Sequence, residues 1–65
     1  MKKRSLTIDG HRTSISLEDE FWESLKEIAN KSNQSLVEVV KEIDESRISG
    51  LSSAIRIFVL KYYKS

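Results

Sequence analysis

No cysteine occurs among the 65 residues, so neither a disulfide framework nor a thiolate zinc site can form. The single histidine, His11, cannot complete a metal shell, and no cofactor is expected. Glycine is confined to Gly10 and Gly50, which leaves no glycine-rich loop to cradle a phosphate. The longest uninterrupted apolar run is Ile57–Leu60, far short of the roughly 20 residues a membrane span needs. Met1-Lys2-Lys3-Arg4 is followed by no apolar stretch and does not read as a secretory signal, so a cytoplasmic protein is expected. Catalysis is not expected. His11 is the one good candidate base near neutral pH, and it lies beside a turn with no room for a pocket.

What is present points to one small globular unit over residues 1–65, with 38% apolar and 32% charged residues. A core of this size supplies no more than about 3–5 kcal/mol, and small domains usually need a staple. With disulfides and metals excluded, the remaining staple is a partner chain. A homodimer is expected.

The net charge of +1 conceals a segregation. Residues 1–17 set Lys2, Lys3, Arg4 and Arg12 against Asp9. Residues 18–45 hold nine acids against Lys26, Lys31 and Lys41, and Arg47, Arg56, Lys61 and Lys64 make the remainder basic again. A basic end suits a polyanion, with an acidic body held away from it.

Residues 4–8 alternate polar and apolar, as do residues 12–17, which is the period of a half-buried strand. Asp9-Gly10 between them is a turn pair, so a simple hairpin over 4–17 is one candidate; residues 1–11 as a basic arm are another. From Glu18 the period becomes helical. Phe21, Trp22, Leu25, Ile28 and Ala29 form one stripe of a helix over 18–32, and Ser16 and Asp19 have capping-box spacing, although Glu18 equally suits the boundary. Ser35-Leu36-Val37-Glu38 is a second capping box, opening a helix over 35–46 with Leu36, Val39, Val40 and Ile43 inward. A third helix over 52–63, with Ser52 as its cap, carries Leu51, Ile55, Phe58, Val59 and Tyr62 on one side. Ala54, Ile57 and Leu60 make its other side apolar too, which predicts a second subunit there.

A lone strand followed by two helices has unpaired edges that need a mate. In this order of elements, in Arg12–Ala29 and in the Asn33-Gln34-Ser35 connection, the chain resembles the ribbon-helix-helix family of DNA-binding proteins. Gly10-His11-Arg12-Thr13-Ser14, Phe21-Trp22 and Leu51-Ser52-Ser53-Ala54-Ile55-Arg56 are similar to a bacterial subgroup of short members, over nearly the whole chain. The resemblance implies a mainly α fold with one intermolecular β-ribbon, a ribbon-helix-helix homodimer here extended by a C-terminal helix. It also implies a partner in double-stranded DNA and a role in transcription regulation.

By that resemblance, alternate ribbon side chains read bases, and these are Arg12, Ser14 and Ser16. The family's phosphate anchor at the start of its second helix falls on Ser35, although Glu38 in the same turn opposes an anion. Ser52 and Ser53, with Arg56 near, offer an electrostatically better anion site. Lys2, Lys3, Arg4 and His11 are further candidates for phosphate contact, against the plainer readings of a solubilising tail and an exposed turn residue. Trp22 reads as core. A rival function keeps the dimer scaffold but binds a protein partner, as an antitoxin or adaptor does.

Overall fold

The computed structural model describes residues 2–64, leaving aside the side chain of Lys2. Strands β1 (Lys2–Ile8) and β2 (His11–Leu17) precede three helices, α1 (Asp19–Lys31), α2 (Leu36–Ser46) and α3 (Leu51–Lys64). The strands pair antiparallel, from Lys2 opposite Leu17 to Ile8 opposite His11. Asp9 and Gly10 link them with φ of 52° and 79°, the left-handed pair that a tight two-residue hairpin turn requires and that matches the strand twist.

A two-stranded ribbon is therefore present, but its second strand comes from the same chain. This is the simple hairpin over 4–17 that the sequence offers as one candidate, and it leaves the other edge of β2 open. Here the alternation of residues 4–8 and the turn chemistry of Asp9-Gly10 let the chain fold back on itself. The turn is also tied down, because Lys41 Nζ of α2 lies 2.9 Å from Asp9 Oδ1.

Parity decides which side of the ribbon meets the helices. Leu6, Ile8, Ile15 and Leu17 face inward, where Ile8, Ile15 and Leu17 join Trp22, Leu25, Ile28 and Ala29 of α1 in the core. Val39, Val40 and Ile43 of α2 and Ile55 and Val59 of α3 complete it. These three helices thus cover one face of a two-stranded sheet too small to hold a core alone.

Each helix end has a chemical reason. Glu18, not Ser16, caps α1: its carbonyl accepts from the Phe21 and Trp22 amides at 3.0 and 3.1 Å. Ser16 stays in β2 because the strand must run on to bury Leu17 completely. α1 stops in a Schellman motif, with Asn33 at φ 55° and the Gln34 amide donating to the Ala29 carbonyl at 3.0 Å. In α2 the expected capping box forms, Glu38 N–H donating to Ser35 Oγ at 3.1 Å and Ser35 N–H to Glu38 Oε1 at 2.8 Å. α3 begins one residue before the expected start. The Ala54 amide donates to the Gly50 carbonyl at 2.9 Å, so Ser52 sits inside the first turn and is not its cap.

Two carboxylates serve this architecture directly. Glu18 Oε1 accepts from Arg56 Nε at 2.8 Å, joining the β2–α1 junction to α3, and that bond holds its carboxyl below the usual glutamate range. The Ser35 backbone amide does the same for Glu38. A carboxyl lowered by folding stabilises the fold above its ordinary range and loses that contribution as pH falls through the folded value. Melting temperature is therefore expected to drop on the acid side of the ordinary glutamate range. The drop should be shallower in Glu18→Gln/Glu38→Gln, as a pH series of thermal melts would measure; an unchanged slope would place the acid sensitivity elsewhere.

Candidate nucleic-acid interface

On the ribbon's outer face, Arg12, Ser14 and Ser16 of β2 are all exposed, as alternation dictates. Opposite them in register stand Thr7, Ser5 and Lys3 of β1, also exposed. Six polar side chains thus form two columns with no apolar residue among them. Ser5 and Thr7 were not picked out from the sequence, although the alternation of residues 4–8 beside Asp9-Gly10 carries that signal.

The ion pairs sharpen the picture. Lys26, Lys31, Lys41, Arg4, Arg47 and Arg56 each reach a carboxylate within 4.0 Å. Among the described residues, Lys3 and Arg12 on the ribbon and Lys61 and Lys64 on α3 form no such pair. Two uncommitted cations therefore sit on the ribbon's polar face, flanked by hydroxyls.

The other candidates scatter. Arg4 has inward parity: its guanidinium lies 5.0 Å from the Trp22 ring centroid, and Nη2 is 3.5 Å from Asp19 Oδ1. It is separated from Arg12, Ser14 and Ser16 by the thickness of the sheet. His11 is exposed and opposite Ile8, on the helix-facing side at the turn end. The Lys2 side chain lies outside the described residues. Ser35 is committed to its capping box, with the Glu38 carboxylate on the amide an anion would use. Replacing Ser35 by alanine is expected to lower stability by about 1 kcal/mol while leaving DNA affinity within twofold, read by denaturant melts and a binding titration. A tenfold affinity loss would make it a contact.

The start of α3 is different. Its first turn carries no acid, Ser53 is exposed and Ser52 half-buried. Arg56, one turn on, is held against Glu18, so its charge is present there but shared.

Polar residues alternating on a two-stranded ribbon ahead of helices also describe a known sequence pattern, and a family model described as a ribbon-helix-helix domain matches residues 1–63. The chain belongs to the ribbon-helix-helix family. Its members are in general DNA-binding regulators that work as dimers, and the match takes in β1 as well as β2 and reaches into α3. No curated protein and no solved structure gives a significant match. Among the described residues, no helix of this ribbon-helix-helix protein is long and apolar enough to cross a membrane.

Proposed function

We propose that the protein is a dimeric, sequence-specific DNA-binding regulator of transcription that lays the outer face of its ribbon in the major groove. The observation that carries the reading is the pair of exposed polar columns bearing the uncommitted Lys3 and Arg12. Seven residues at about 3.4 Å each make a ribbon a little over 20 Å long, and a two-stranded ribbon fits a groove roughly 12 Å wide. Arg12 supplies the fork that pairs with guanine, and Ser14 and Ser16 add weaker contacts to either base type. Lys3 tracks the backbone, and the acid-free first turn of α3 with Ser52 and Ser53 offers a second phosphate contact. A cytoplasmic location follows from that role.

Dimerisation is proposed through α3. Ile57 and Leu60 are about half exposed and Ile48 is fully exposed; a surface groove of about 370 Å³ is lined by Ile48, Ile57 and Phe58, with Leu60 exposed outside it. Leu60→Asp is expected to convert the dimer to a folded monomer, read by sedimentation together with circular dichroism. An unchanged molecular weight would move the interface elsewhere.

The same apolar surface favours a second reading, in which the groove receives a different protein and DNA is incidental. Selection from a random double-stranded pool, at low and physiological salt, separates the two. A short motif that stays enriched at higher salt is the expected outcome. Binding that vanishes with salt and enriches nothing would leave phosphate attraction alone and favour the protein partner.

A further inference from the structure

We infer that the cleft between β1 and the first two helices is a binding site for a small carboxylate with an apolar body, held at its charged end by Arg4 and Lys26. This site stands independently of the DNA-binding reading.

The cleft is a half-open cavity of about 400 Å³ lined by Arg4, Ser5 and Leu6 of β1, Trp22 and Lys26 of α1, and Leu36 of α2. That volume falls in the roughly 300–1,000 Å³ range of small-molecule sites, which combine mostly apolar walls with a few convergent polar groups. Leu6, Trp22 and Leu36 supply such walls. No residue of β2 or α3 lines the cavity, so neither Arg12, Ser14 and Ser16 nor the apolar side of α3 borders it.

Two cations at this cavity lack full partners. Arg4 Nη1 is closed off from water and, among the described residues, has no hydrogen-bond acceptor. Its other terminal nitrogen, Nη2, reaches Asp19 Oδ1 only at 3.5 Å, the longest ion pair among the described residues. A buried donor left unpaired costs about 1–3 kcal/mol, and a planar guanidinium presents a fork that matches one carboxylate. Trp22 Nε1 is buried without an acceptor as well. Two unfilled donors on two residues that line one cavity are the juxtaposition from which the ligand's chemistry follows. Lys26 Nζ lies 2.9 Å from Glu23 Oε2, but both side chains are more than half exposed, so the pair is weak and the ammonium can be shared.

A ligand carboxylate meets the guanidinium when Arg4 turns about its terminal bonds away from Asp19; its side chain is 37% exposed and has room to do so. Asp19 and Glu23 already offset much of the two positive charges. A single negative charge is therefore accepted where the double charge of a phosphate monoester is repelled. The apolar body then covers Leu6, Leu36 and the indole.

Trp22 is the chain's one tryptophan, so its emission reports on this cavity. The full-length protein is titrated with 3-phenylpropanoate, exciting at the red edge where tyrosine does not absorb. A saturable change is expected with half-saturation below about 1 mM, with one ligand per chain by equilibrium dialysis. 3-Phenylpropanamide, the same body without the charge, and acetate, the charge without the body, should each bind at least tenfold more weakly. Arg4→Gln should weaken the acid at least tenfold, to the level of the amide. Lys26→Glu, on an exposed helix face where the fold tolerates it, should weaken the acid at least threefold and decides the matter if Arg4→Gln fails to fold. No saturable change at ten times the expected concentration, as when a second copy fills the cavity, would overturn the inference. So would an amide that binds as tightly as the acid, or an unchanged affinity in either folded variant.

Discussion

Replacing Trp22 by alanine is expected to leave the chain largely unfolded at room temperature. The indole is 2% exposed, and it stands in the core beneath the Arg4 guanidinium of β1. Truncating a buried tryptophan costs about 3–5 kcal/mol, which equals the whole stability that a core in a domain this size supplies. The Arg4 guanidinium above the ring adds a smaller contribution, on the order of 0.5–1 kcal/mol for a partly exposed pair. Trp22→Phe should be far milder. It keeps an aromatic surface for Arg4 and removes an indole N–H that, among the described residues, has no acceptor. Far-ultraviolet circular dichroism and thermal melts would compare the three proteins. A cooperative melt in Trp22→Ala, within about 1 kcal/mol of wild type, would show that the core closes without this side chain.

Arg12→Ala has the second large expected effect, and it falls on recognition and not on folding. Arg12 is exposed, forms no ion pair among the described residues and is not part of the hydrophobic core. A bidentate arginine–guanine contact discriminates by roughly 1–3 kcal/mol, or about 5- to 150-fold between the right and wrong base pair. The variant should keep the wild-type melting temperature while preference collapses at one position of the half-site. Competition titrations with single-base-pair changes in the selected DNA read this directly. If affinity falls equally on every sequence, Arg12 touches phosphate and the reading passes to its neighbours.

Much of this was legible in the chain. The two alternating stretches and Asp9-Gly10 carry the hairpin, and the same parity that sends Arg12, Ser14 and Ser16 outward sends Arg4 inward toward Trp22. Reading Arg4 by its charge alone missed that. The ribbon-helix-helix fold followed from the order of elements and the family motifs. What local pattern left open was the choice between that hairpin and a basic arm over residues 1–11, since an edge can be closed by the same chain or another with equal hydrogen bonding. Tertiary contacts were equally hidden. Ser16 and Asp19 have the spacing of a cap, but the demand to bury Leu17 keeps Ser16 in the strand. The Glu18 carboxylate, free of that task, reaches Arg56 38 residues away. Ser35 shows the converse: its capping box was readable, and so was the anion it displaces.

The frugal distribution of free cations bears on how such a protein would find its target. With Arg12 on a base edge and Lys3 the one described ribbon cation left for the backbone, a dimer would neutralise about two phosphates through its ribbons, for a logarithmic salt slope near −1.8. Strongly basic DNA-binding proteins linger on random sequence, and their search is slowed by each long stop. Here a weak hold on the backbone makes every wrong stop brief, so the time to reach an operator is governed by many short visits, and occupancy by how slowly the right one is released.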